Sequence, residues 1–282
     1  MYRIKDVAMV DNCRPRKPLR FATAAILAAL LLFVAGHTFF SVYGPVAGPV
    51  FKTGIGGFQK AVLQDGTKIE LNTDSELRVR FTRRKREIVL VRGEAHFDVA
   101  KDADRPFVVR AGYVVVRAVG TAFTIRMYTP SRSSVLVTEG RVTVGSPTRS
   151  GEVFDAFGWT TASDADATLV SAGERAMDNA GHIAIYAVDD QQMAAREAWR
   201  TGWFVFSEMS LSEIVAEFNR YQRRQITIGT PSIATLRFNG RLNVKAVDKF
   251  LAGLAKTTGI RAREVAGQQN VVELQQDSRP DR

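Results

Sequence analysis

The carboxylates Asp65, Glu70, Asp74, Glu87, Glu94 and Asp98 crowd into one stretch of the chain. Two such groups facing each other across a cleft could act as acid and base, as in glycoside hydrolysis. Each falls on a turn or on the outward face of an alternating strand, and spacing identifies no working pair. The histidines are His37, His96 and His182, and none has a second ligand at metal-binding spacing. Cys13 is the single cysteine, so no internal disulfide can form. A glycine-rich phosphate loop, a nucleophile elbow and an HExxH helix are all missing from the sequence. These residues imply no catalytic site, no metal and no cofactor, and the chain is read as a non-enzyme.

Recognition is the chemistry that remains. Trp199, Trp203, Phe204 and Phe206 concentrate aromatic surface near the start of a C-terminal unit. Trp203 and Val205 alternate as a strand facing a core. Phe204 and Phe206 then lie under a short helix expected over Gln191–Arg200, or face the preceding domain or a partner. Arg83-Arg84-Lys85-Arg86 is the densest basic run. It could grip an anionic lipid or an acidic patch, but a solvated hairpin tip is equally basic. The formal charge of +10 does not argue for nucleic acid. Met1 to Arg20 hold six Lys/Arg against Asp6 and Asp11, and the excess over the rest of the chain is dilute.

The elements that position these residues begin with Phe21 to Tyr43, which holds no Asp, Glu, Lys or Arg. As a helix it would be roughly 34 Å long, enough for a hydrocarbon core of ~30 Å. Only Thr23, His37, Thr38 and Ser41 interrupt its apolar surface, and His37 lies in the outer third. Arg14, Arg16, Lys17 and Arg20 precede it, so the expected orientation is N-terminus cytoplasmic and the remainder outside. A cleaved signal peptide would want a shorter apolar core and a better site than Val46-Ala47-Gly48 followed by Pro49. The expected organisation is therefore a short cytoplasmic tail (1–20), a transmembrane helix (21–43), a Gly/Pro linker (44–57), a β-domain (58–188), a small α/β domain (189–274) and a polar tail (275–282).

Within the β-domain apolar residues recur at every second position: Ile69 and Leu71, Leu77, Val79 and Phe81, Ile88 and Leu90, Phe97 and Val99, on to Val142 and Val144. Breaks such as Asp65-Gly66 and Arg92-Gly93 separate the runs. This is the pattern of an all-β domain, β-solenoid or sandwich-like. Residues 146–170 are the least regular and read as a loop or insertion. Beyond Asp189 the spacing turns helical. Ser210-x-x-Glu213 is a capping box ahead of Leu211, Ile214, Val215, Phe218 and Tyr221, and Gly259 stops a second helix. The order β-α-β-β-α-β describes a small two-layer unit. The expected fold class is mainly β plus α/β, with one membrane-spanning helix.

Six blocks in the first domain resemble the FecR family of membrane-anchored anti-sigma factors and sigma regulators. They are Leu63-Gln64-Asp65-Gly66-Thr67, Leu71-Asn72-Thr73-Asp74-Ser75, Gly93-Glu94-Ala95-His96-Phe97-Asp98-Val99, Arg105-Pro106-Phe107-Val108-Val109, Val119-Gly120-Thr121-Ala122-Phe123 and Val137-Thr138-Glu139-Gly140-Arg141-Val142. Leu169 to Arg175, with Ala198 to Gly202 and Phe218-Asn219-Arg220-Tyr221, is similar to the family's C-terminal region, which looks like the STN domain of secretins and transducers. The resemblance implies a bitopic transducer of the bacterial inner membrane, with the domains after the span in the periplasm. It would relay a signal from the periplasmic signalling domain of a TonB-dependent transducer to an extracytoplasmic-function sigma factor, often through envelope proteases and commonly for iron–siderophore uptake. Family members carry a cytoplasmic helical domain before the span, where this sequence has about 20 residues. The implied partner surface is the C-terminal domain, with Trp203, Phe204, Phe206, Asn219, Arg220, Tyr221 and Ile226 as candidate contacts, and with a partner strand adding to a sheet edge near Ile226. A reading from another class is a membrane-anchored envelope scaffold whose β-domain binds glycan or protein without sigma-factor control.

Overall fold

One strand of 13 residues, Arg86–Asp98, belongs to both sheets of the β-domain and holds them together. The computed structural model describes Phe33 and residues 48–83, 85–145, 167–268 and 270–276. The chain divides into two units, Met1–Pro45 and Val46–Arg282. Phe33 is the one described residue of the first, and the second holds every described strand.

The strands of the β-domain are, in order, β1 (Val50–Lys52), β2 (Gln59–Val62), β3 (Lys68–Leu71), β4 (Glu76–Phe81), β5 (Arg86–Asp98), β6 (Phe107–Ala111), β7 (Val114–Ala118), β8 (Ala122–Thr129), β9 (Arg132–Glu139), β10 (Arg141–Gly145), β11 (Thr168–Ser171), β12 (Glu174–Asn179) and β13 (His182–Ala187). The first half of β5 pairs antiparallel with β4 and parallel with β6, in a sheet continuing through β7, β10 and β11. Its second half pairs antiparallel with β3 and β8, in a sheet continuing through β9, β12 and β13. The change of sheet falls at Gly93, whose φ of 88° suits glycine. A Cβ there would stand 2.6 Å from the Ser75 Cα, so the neighbouring chain also demands a bare position.

Both sheets point their period-two apolar residues at one core. Ile69, Leu77, Ile88, Phe97, Phe107, Phe123 and Val137 are fully buried. Phe97 packs edge-on to Phe107 of the other sheet, with ring centroids 5.9 Å apart. Arg86 closes the open end of this core. It shares strand parity with Ile88 and Leu90, points inward and is wholly buried. Its guanidinium lies 2.9 Å from the buried Asp65 carboxylate and donates to the carbonyls of Ala100 and Arg105, each at 2.8 Å. The start of β5 is thereby tied to the β2–β3 turn and to the loop leaving β5.

The C-terminal part contains α1 (Asp190–Glu197), a 3-10 turn (Ala198–Thr201), β14 (Trp203–Ser210), α2 (Leu211–Tyr221), β15 (Gln225–Ile228), β16 (Arg237–Asn243), α3 (Val247–Thr258), β17 (Ile260–Glu264) and β18 (Val271–Gln276). Ser210 and Glu213 form a reciprocal capping box at the start of α2. The strands make two small sheets, β14–β16 and β15–β18–β17. Phe206, Phe218, Ile226, Phe250, Ile260 and Leu274 fill the core between them and the helices.

Several expectations are corrected. The fold class drawn from the sequence included a transmembrane helix. Among the described residues no helix is long and apolar enough to cross a membrane, and the chain they form is mainly β. The longest described helix, α3, has 12 residues, about 18 Å against a ~30 Å hydrocarbon core. Residues 21–43, apart from Phe33, lie outside the described residues. Of the stretch 146–170 read as a loop or insertion, residues 146–166 lie outside the described residues and Thr168–Val170 begin β11. Leu169–Arg175, likened to the C-terminal region, falls on β11 and β12, which extend the two β-domain sheets through β10 and β9. The basic run is not wholly a solvated tip, because Arg86 has a buried acid to neutralise.

Arg86→Met should lower the unfolding free energy by about 3–5 kcal/mol, because it leaves the Asp65 carboxylate buried without its counter-charge. Adding Asp65→Asn should restore part of the loss. Urea unfolding followed by circular dichroism reads both, and a loss below about 1 kcal/mol would mean that the pair behaves as an exposed one.

Candidate functional site

Because β5 alternates, Glu94 and His96 point away from the core that Ala95 and Phe97 enter. Register places Glu70, His96 and Thr124 side by side across β3, β5 and β8, and Glu94 beside Arg126. This outward face is covered by α1, the 3-10 turn and the end of α2, and two ion clusters form where they meet.

The first cluster receives Glu197 from α1 and Arg200 from the turn. Glu197 accepts from Thr124 Oγ1 at 2.6 Å and lies 3.1 Å from His96 Nδ1. Arg200 reaches Glu70 at 2.6 Å and Glu197 at 3.2 Å. Burial alone would raise the Glu70 and Glu197 carboxyls. Arg200 and Lys60 around Glu70, and His96, Thr124 and Arg200 around Glu197, outweigh it and hold both below the usual value of 4.5. The second cluster receives Glu217, Arg220 and Tyr221 from α2. Arg220 bridges Glu94 at 2.8 Å and Glu217 at 2.6 Å, while Arg126 meets Glu217 at 2.7 Å. Burial opposes the Glu217 charge, but the two arginines keep its carboxyl below its usual range. Burial and the nearby Glu217 push the Tyr221 phenol up. Asn72 donates to Glu94 and to the Tyr221 hydroxyl, at 2.8 and 2.9 Å. Gly56 (φ 72°) abuts the end of α2, where a Cβ would lie 2.8 Å from the Tyr221 carbonyl oxygen.

Beside this seam opens a cleft of about 470 Å³ between the outer face of β8, β9 and β12 and the elements α1 and β14. Tyr128, Trp199, Trp203 and Phe204 give it aromatic walls, and Arg126, Arg175 and Arg196 line it too. Burial, and then the neighbouring Arg175, hold the Arg196 guanidinium below its usual range.

The residues singled out from the sequence divide. Trp203, Phe204 and Tyr221 line the cleft, and Arg220 lies in the seam. Trp203 carries the Arg241 guanidinium 4.4 Å above its ring. Phe206 and Ile226 are core residues, 5% and 2% exposed. Phe204 packs edge-on to Phe218 of α2 at 5.5 Å, not under the Gln191–Arg200 helix. Asn219 closes the sheet edge at Ile226, accepting from its N–H and donating to its C=O, each at 2.8 Å. That backbone is occupied, so the edge beside Ile226 is not open to another strand. Sequence reading missed Thr124, Arg126, Glu197, Glu217, Arg175 and Arg196. Strand parity marks Thr124 and Arg126 as outward-facing but does not say what covers them.

The description FecR protein matches residues 50–143, and FecR, C-terminal matches residues 203–272. Together they span more than half of the 282 residues. The chain belongs to the FecR family. Two crystal structures, at 1.65 and 2.50 Å, of a candidate anti-sigma factor from Parabacteroides distasonis ATCC 8503 share the fold. Their identities to this chain are 22% and 23%, with TM-scores of 0.63 and 0.62. Each match covers 82% of this chain and 100% or 99% of the other. None of the curated proteins matches it in sequence.

In this FecR chain the segments Asn72-Thr73, Glu94-x-His96, Trp199-Arg200 and Arg220-Tyr221 come from distant parts of the sequence and meet in the seam. Glu70, Glu197 and Glu217 each bind protons more weakly folded than unfolded, so their stabilisation is present above pH 4.5 and lost as pH falls below it. The urea midpoint should hold from pH 7 to about 5 and fall toward pH 3. Glu217→Gln should cost about 3 kcal/mol at pH 7 and flatten that fall, because Arg126 and Arg220 lose their shared counter-charge. An unchanged pH profile would refute a stabilising role for this carboxylate.

Proposed function

We propose that this FecR-family chain is a sigma-factor regulator, and not an enzyme, whose folded part is a receiver for a protein signal. The observation that carries this reading is the paired match to both halves of the family, on a fold shared with a candidate anti-sigma factor. In this reading residues 48–276 work in the periplasm. The C-terminal unit acts as an STN-like domain that meets the signalling domain of a TonB-dependent transducer, with an extracytoplasmic-function sigma factor downstream and iron–siderophore uptake as the regulated process. The seam supports such a role physically. A load on α1 or α2 passes to β3, β5 and β8 through Arg200, Arg220 and Arg126, because displacing any of them would leave a buried carboxylate without its counter-charge.

Transcript profiling of a strain lacking the chain tests the coarse reading. Genes of one sigma-dependent regulon should change together, by about tenfold on the scale of a 1–2 kcal/mol coupling, and recover on complementation. A profile unmoved by deletion and by overexpression would sink it. In-cell crosslinking through a photoreactive residue at Thr201, exposed beside α1, tests the finer reading and should trap the transducer's signalling domain under iron limitation.

A further inference from the structure

Among the described residues, the cleft beside the seam gathers positive charge that no carboxylate balances. Its carboxylates all have partners: Glu94, Glu197 and Glu217 are held by the seam, Asp189 caps α1 through Gln192 N–H, and Glu208 accepts from Asn239. Arg175 and Arg196 approach from opposite walls, β12 of the β-domain and α1 of the C-terminal unit, and neither has a carboxylate partner among the described residues. The Arg175 Nε and the Trp199 Nε1 are buried there without an acceptor. Both of these unsatisfied groups are donors, and a buried donor without an acceptor costs about 1–3 kcal/mol. The occupant that answers such a site is an acceptor with negative charge, and a carboxylate matches the arginine fork in two parallel hydrogen bonds.

The cleft also offers backbone. β14 pairs with β16 on one edge only, and Trp203, Val205 and Ser207 line the cleft. An extended segment lying there would find apolar walls, main-chain groups and two arginines within one opening. The geometry points to this cleft as the binding site for an acidic, extended segment of a protein partner, with its carboxylate held between Arg175 and Arg196. The inference rests on the proposed function in taking the occupant to be protein, and it moves the docking place from Ile226, whose edge Asn219 closes, to β14.

Isothermal titration of the full chain tests it with three capped heptapeptides, acetyl-VEVEVEV-amide, acetyl-VQVQVQV-amide and acetyl-VKVKVKV-amide, and with free citrate. The glutamate peptide should bind at least tenfold more tightly than the glutamine peptide. Arg196→Glu should abolish that preference and turn it toward the lysine peptide, while Arg196→Lys retains part of it. Circular dichroism confirms that each variant is folded. Equal binding of the acidic and neutral peptides, no binding by any of them, an unaltered preference in Arg196→Glu, or citrate binding as tightly as the peptide would each overturn the proposal. No sigma factor takes part in the titration, so its failure leaves the regulator reading standing, and an unmoved transcript profile leaves the cleft chemistry standing.

Discussion

Arg220 stands between two carboxylates, one from each part of the molecule, and the arrangement of the whole folded chain depends on that position. Glu94 belongs to the β-domain and Glu217 to α2, and Arg126 returns from the β-domain to the far oxygen of Glu217. The alternation of carboxylate and guanidinium leaves no charge in the row without a neighbour of opposite sign. Apolar side chains could bury the same surface as favourably, since desolvation offsets much of an ion pair's attraction. They would also tolerate slippage, because dispersion is non-directional and many registers bury similar area. An ion row does not tolerate it. A shift of one residue along β5 would turn Ala95 outward and take Glu94 away from Arg220.

The seam and the cleft are two results of the same covering of one sheet face. Where α1 and α2 approach the strands closely, the outward polar groups must pair, and the seam forms. Where β14 turns away, wider space remains, lined by the same strands further along. Arg175 lies on β12, two strands beyond β8, and has no carboxylate partner among the described residues. Its charge follows from the geometry of the seam, since the carboxylates that could have met it already have donors.

Much of this architecture can be read from residue order, and the remainder fails for identifiable reasons. Period-two alternation locates the strands around Ile69, Leu77, Ile88, Phe97 and Phe123, and the capping box locates α2. Parity even marks Arg86 as inward, since it shares a face with Ile88 and Leu90. The adjoining Arg83 and Lys85 disguise that signal as a solvated tip. Parity likewise turns Glu70, Glu94, His96, Thr124 and Arg126 outward, where a lone sheet would expose them to water. Their burial is a long-range fact that no local pattern contains, because the covering residues lie some 70 to 150 positions further on. The closing of the Ile226 edge by Asn219 is hidden in the same way. A side-chain amide that mimics a neighbouring strand leaves no trace in hydrophobic periodicity.

The two arginines of the cleft stand on different parts of the molecule, and this gives an acidic occupant a consequence beyond binding. A segment held by Arg175 and Arg196 together requires both walls at their present separation, so it binds only the arrangement that the seam maintains. By linkage, anything that binds one arrangement alone stabilises it by RT ln(1 + [L]/Kd), about 2.7 kcal/mol at a hundredfold excess over Kd. That is comparable to the contribution of one ion pair in the seam. Arg196 is also the residue beside Glu197, so charge arriving at the cleft acts one position from the His96–Glu197 contact. Occupancy of the cleft and integrity of the seam are therefore coupled by both geometry and charge, and each biases the other by the same free energy.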